Sequence, residues 1–154
     1  MNLSNFTTGG TFCLSKAGLA EGTNSATIKT AAPNGAGIDF CIGGVLYHLA
    51  DGDNIAVTAC AVQADLTTCL YTVSVGSTGT VTTTKGDEVL TAQLGDGNTN
   101  LSWPTPSVAG AVIGGIKVVT SGATFTAGTT DLGAGTVTDT YFDFFCLPGT
   151  VVAS

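Results

Sequence analysis

Residues 38–49 read IDFCI-GG-VLYHL, two apolar runs joined by Gly43-Gly44. A two-residue Gly-Gly link between apolar runs signals a β-hairpin. Primed turns need positive φ at the loop, which glycine adopts without steric cost. Counting outward from the turn sets the register: Ile42 faces Val45, Phe40 faces Tyr47 and Ile38 faces Leu49. Those six side chains share one apolar face, because side chains alternate along a strand. On the other face Cys41 meets Leu46, and Asp39 meets His48.

The rest of the chain repeats this character. Residues 67–75 (TTCLYTVSV) alternate: Cys69, Tyr71, Val73 and Val75 point one way, and Thr68, Thr72 and Ser74 the other. A turn at residues 76–79 leads to a Thr-rich strand, residues 80–85, expected to face solvent. Residues 108–120 are apolar and β-branched but interrupted by Gly114-Gly115, which predicts a central strand with a bulge or sharp bend. Residues 136–146 (TVTDTYFDFFC) form a last long strand. Shorter strands are expected over residues 11–16, 28–30, 55–62 and 124–132, with turns at 18–24 and 31–37 and one or two helical turns within 87–94. The near-identical GTVTTT (residues 79–84) and GTVTDT (residues 135–140) are as readily a product of Thr-rich hairpins as of a repeat.

Composition agrees. The 154 residues include 22 Gly and 27 Thr, which suit strands and tight turns, and only 10% are charged, with four Lys and no Arg. The expected fold is all-β, an antiparallel β-sandwich or small β-barrel with Gly-rich turns. One β-domain spans residues 11–149, with a flexible N-terminal arm at residues 1–10 and a tail at 150–154.

The charge balance excludes several partners. At net charge −7 without Arg, the chain cannot neutralise many phosphates, so neither nucleic acid nor an anionic membrane is expected. With 44% hydrophobic residues and few charges, part of the surface is expected to be buried in an assembly, with a homo-oligomer as the natural form. The opening MNLSNFTTGG lacks the basic and apolar regions of a secretory leader, so cytoplasmic synthesis is expected. Five cysteines, an odd number, then read as reduced thiols rather than a disulfide framework.

No constellation of catalytic residues emerges. His48 is the only histidine, and the hairpin register pairs it with Asp39. No nucleophile elbow surrounds any Ser or Cys, and no Cys pair has zinc-site spacing. The stretch Asp51-Gly52-Asp53-Asn54 resembles the start of a calcium loop, but Val62 stands where the closing Glu belongs. Asp139 and Asp143 share a strand face yet lie about 13 Å apart at roughly 3.3 Å per residue, too far for paired-carboxylate chemistry. Enzymatic activity, cofactors and metals are therefore not expected. Trp103, the only tryptophan, sits in Ser102-Trp103-Pro104-Thr105-Pro106. It reads equally as an interface anchor and as a plug under its own loop. With Phe6, Pro104 and Pro106 it completes the candidate interface.

Four stretches, KAGLAEGTNSATIKTA (residues 16–31), IDFCIGGVLYHLADGDNIA (38–56), AVIGGIKVV (111–119) and FTAGTTDL (125–132), cover about a third of the chain. Together they resemble small structural proteins of tailed-bacteriophage virions, most of all capsid decoration (cement) proteins. That resemblance implies a non-catalytic protein on the outside of the head shell, often a trimer, clamping neighbouring major capsid subunits. Residues 1–10 and the loop at 95–107 are the expected contacts. A tail-fibre or receptor- and glycan-binding β-module is the alternative, and a small hydrolase a more distant one.

Overall fold

A computed structural model describes residues 10–96 and 99–147. Among these residues there are ten strands: β1 (Phe12–Cys13), β2 (Leu19–Glu21), β3 (Thr27–Thr30), β4 (Ile38–Ile42), β5 (Val45–Leu49), β6 (Ile55–Ala56), β7 (Thr67–Val75), β8 (Val81–Leu90), β9 (Ala111–Thr120) and β10 (Val137–Asp143). They form three antiparallel sheets, ordered β1-β4-β5, β2-β3-β6 and β10-β9-β7-β8. The sheets do not close into a barrel, and the only helical element among the described residues is a 3-10 turn, Thr91–Asp96.

The hairpin has the register counted from its glycines: Ile42 pairs with Val45, Phe40 with Tyr47 and Ile38 with Leu49. Gly43 and Gly44 take φ of 58° and 86°, as a primed turn demands. Burial of the apolar face fades toward the turn. Ile38 and Phe40 are buried and Tyr47 stacks on Phe40, whereas Val45 overhangs the core and is exposed.

The four-stranded sheet is the backbone of the domain. All nine residues of β7 are buried, because both faces of that strand are covered. On the front, Cys69, Tyr71, Val73 and Val75 join Ile38, Phe40, Ile28, Ile113, Ile116 and Phe125 in the main core, which draws on all three sheets. On the back, Leu70 packs with Leu94, Leu101 and Trp103. The segment following the 3-10 turn is thus a strap across the back of the sheet. The hydroxyls it covers are satisfied: Thr72 donates to the Pro104 carbonyl at 2.8 Å, and Thr68 pairs with Thr91 at 2.9 Å.

Several local expectations are corrected. Residues 18–24 are not a single turn, since Leu19–Glu21 pairs with β3 and the chain reverses only after it. The strand expected over residues 55–62 stops at Ala56. Thr58 and Thr83 then exchange N–H-to-hydroxyl bonds at 2.8 and 2.9 Å in place of a regular ladder. The strand expected at 80–85 continues to Leu90 and lies half-buried under the strap rather than facing solvent. The segment 124–132 contributes only a bridge from Phe125 to Gln63. In β9 the register shift falls at Ile113: Val73 faces Gly114, and the next residue, Ser74, faces Val112. Residues 1–9 of the expected arm and the tail at 150–154 lie outside the described residues. Gly10 is tied in, accepting the Gly44 N–H at 3.4 Å.

Candidate interaction surface

The titratable groups are used locally. His48 Nδ1 lies 2.8 Å from Asp39 on an exposed face, as the hairpin register requires. Asp51 accepts the Ala32 N–H at 2.8 Å, and Asp143 that of Leu19 at 3.1 Å. Asp53 is the centre of a clasp, taking the Thr23 hydroxyl at 2.5 Å and the N–H groups of Thr23 and Asn54 at 2.9 and 2.7 Å. Those bonds, the Thr23 hydroxyl first, hold its carboxyl below the usual range. Lys85 pairs with Glu88, which also accepts the Ala64 N–H at 2.8 Å. Among the described residues no group of three or more His, Cys, Asp and Glu is placed to hold a metal ion.

The cysteines are free thiols. Burial pushes Cys13 and Cys60 up, and Cys69 up to about 12, which disfavours the reactive thiolate. Among the described residues no hydrogen bond joins a thiol to His48, whose Nδ1 is paired with Asp39, and Cys41, diagonal to it on the same face, is buried.

Of the expected interface, Trp103, Pro104 and Pro106 lie together in the strap. Phe6 lies outside the described residues. Trp103 is 8% exposed and sits edge-on to Phe142 and Phe144, with ring centroids 5.5 and 4.8 Å apart. It is the plug of its own loop, not a projecting anchor. Pro104 and Pro106 are half-buried in the same strap: the Pro104 ring lies against Gly86, and Ser107, next to Pro106, bonds Thr84.

A different surface is apolar and open. In the β1-β4-β5 sheet, Phe12 pairs with Cys41, and Cys41 with Leu46. Ile38 and Phe40 enter the core, so the intervening Asp39 and Cys41, with their cross-strand partners, face outward. Phe12, Leu14 and Leu46 are 37%, 48% and 69% exposed there, and the one carboxylate within this row, Asp39, is paired with the His48 imidazole. Half of this row was legible, since the glycine turn already places Leu46 opposite Cys41. The pairing of β1 with β4 was not, because it joins residues far apart in sequence and β1 has only two residues in the ladder.

A second feature is a cleft of about 410 Å³ at the β7–β8 turn. Ser74, Ser77, Thr78, Thr80 and Thr82 line it with hydroxyls, and Val108 and Ala109 supply an apolar side. It contains no ionisable group. No described helix is long and apolar enough to cross a membrane.

No family model, no curated protein and no solved structure matches this chain.

Proposed function

We propose that this chain is a non-catalytic structural protein that works within a larger protein assembly, and that the outer face of the β1-β4-β5 sheet is where it meets a neighbour. The observation that carries this reading is the exposed row of Phe12, Leu14 and Leu46 on a sheet whose single carboxylate, Asp39, is paired with the His48 imidazole. Contiguous exposed apolar surface marks contact sites, and a sheet presents it without an ordering cost.

The specific form proposed is a bacteriophage capsid decoration protein, bound to the outside of the head shell with the major capsid protein as partner. It would be synthesised in the host cytoplasm and carried as a homo-oligomer, with a trimer implied by the resemblance. Its support is the resemblance of residues 16–31, 38–56, 111–119 and 125–132, together with a surface poor in charge. Neither nucleic acid nor membrane is a partner in this reading, because four Lys without Arg offer few contacts to phosphate.

Co-sedimentation with purified capsids tests it. The wild-type chain should pellet with capsids, and Leu46→Lys should release it while keeping the fold. Failure of the wild-type chain to bind capsids overturns the decoration role. The hydroxyl-lined cleft favours a second reading, a glycan-binding module of the same kind of particle. A glycan array showing saturable binding, lost in Thr82→Val, would put that reading first.

A further inference from the structure

β5 is an open sheet edge. The Leu14 N–H donates to the Asp39 carbonyl, so Asp39 turns its backbone toward β1. Ile38, Phe40 and Ile42 therefore turn theirs toward β5, where they meet Val45, Tyr47 and Leu49. The N–H and C=O groups of the alternate residues, Leu46 and His48, point away from the sheet. Among the described residues no backbone bond reaches them.

Natural edges are guarded by charge, proline or a bulge. The other edges among the described residues follow that rule or are only two residues long, as β1 is, where the Phe145 carbonyl also takes the Cys13 N–H. β8 carries Lys85, Asp87 and Glu88 and a register shift against β7. β10 carries Asp139 and Asp143, and β2 ends on Glu21. β6 has only two residues. β5, VLYHL, has no Lys, Asp, Glu or Pro and no register shift against β4.

We infer that β5 pairs with β5 of a second copy, antiparallel about a twofold axis at Tyr47, to make one continuous six-stranded sheet. The register is self-complementary. With Tyr47 opposite its own mate, Leu46 of each copy falls opposite His48 of the other, and those are the residues whose backbone groups point outward. Four hydrogen bonds form and no outward group is left over, which is the isologous arrangement a twofold dimer requires.

Charge opposes a second copy less at this edge than elsewhere. Each chain carries a net −7, so two copies repel over most of their surfaces. β5 itself carries no carboxylate, and Asp39, cross-strand from His48, is paired with it at 2.8 Å. The joined sheet also extends the apolar row, bringing the Leu46 side chains of both copies to one outer face. This contact is independent of the capsid proposal. It gives a dimer, whereas a threefold assembly would have to use another surface.

The test is sedimentation equilibrium of the purified full-length chain, with no capsid present, for wild type, Leu46→Pro and Leu46→Lys. The Leu46 N–H faces solvent in the monomer, so proline there removes no internal bond, as on other edge strands. The wild-type chain should be a dimer. Leu46→Pro deletes two symmetry-related donors and should raise the dissociation constant at least about tenfold, with an unchanged monomer fold by circular dichroism. Leu46→Lys keeps the backbone and should also dissociate the dimer, which decides the matter if the proline variant does not fold. A wild-type monomer, a wild-type trimer, or a dimer that survives Leu46→Lys each overturns the inference. Capsid co-sedimentation is a separate readout, so loss of one proposal leaves the other standing.

Discussion

The Trp103 ring lies so close to Gly115 that a Cβ built on this glycine would meet Trp103 Cζ3 at 2.2 Å. Gly115 sits in the middle of β9, opposite Thr72 on one side and Phe142 on the other. Its missing side chain is the seat for the indole. The strap across the back of the sheet is thereby anchored on a strand that would otherwise repel it.

Gly115→Ala should therefore destabilise the protein by about 1–3 kcal/mol, the usual cost of overpacking a well-filled site. Trp103→Ala removes the plug itself and should cost about 3–5 kcal/mol, in line with other buried aromatic truncations. Urea unfolding measures both. If Gly115→Ala is as stable as wild type, the strap is not seated as described.

Gln63 should be similarly sensitive. It is fully buried, with Nε2 donating to the carbonyls of Thr67 and Val118 at 3.2 and 3.1 Å and Oε1 accepting the Tyr71 hydroxyl at 3.1 Å. This network ties β7 and β9 to the bridge between Gln63 and Phe125. Tyr71→Phe strands a buried acceptor and should cost about 1–3 kcal/mol with little change in the urea m-value. An unchanged midpoint would mean that water replaces the hydroxyl.

Much of the fold was legible where the signal is local. The hairpin register follows from two glycines, and β7 was bounded at both of its ends by alternation alone. The paired Asp39 and His48 followed from the same count. What could not be read are the relationships made at long range. Gly115 was visible as an anomaly in an apolar strand, and bulge or bend was the natural reading. The bulge lies two residues earlier, at Ile113, while Gly115 makes room for a tryptophan twelve residues upstream. Trp103 could not be assigned as plug or anchor without knowing where the strap lies. Short strands such as β2 and β6 carry too few residues for a periodic signal, and their partners decide them. The open apolar face was hidden for the same reason, because β1 completes it from outside the hairpin.

The thiols offer a direct probe of the core. Cys146 is exposed, whereas Cys13 and Cys69 are buried within the main cluster. Burial raises the pKa of both buried thiols, reducing the thiolate that alkylating reagents attack. At neutral pH, Cys146 should react first, and Cys13 and Cys69 only on unfolding. Mass spectrometry of the partly labelled protein identifies the order. Early labelling of Cys69 would show that β7 is accessible from one of its faces.

Acid should weaken the protein through two carboxylates that are easily separated by mutation. Asp53 is held below its ordinary value of 3.8 by the Thr23 hydroxyl and the N–H groups of Thr23 and Asn54. Burial works against the charge on Glu88, but the bonds from Lys85 and Ala64 outweigh it and hold this carboxyl below its ordinary 4.5. A carboxyl whose pKa is lower folded than unfolded binds fewer protons in the native state. Its stabilisation is therefore complete above the unfolded value and drains away as pH falls through the folded one. Both contributions should be intact at pH 7 and decline only below about pH 4.5 for Glu88 and about pH 4 for Asp53. Asp53→Asn and Glu88→Gln should each be less stable than wild type at neutral pH, yet lose less on acidification, so that the curves converge toward low pH. Thermal midpoints across the acid range measure this. Curves that stay parallel would mean that neither carboxylate is linked to folding, and that the clasp between Thr23 and Asp53 holds equally well when protonated.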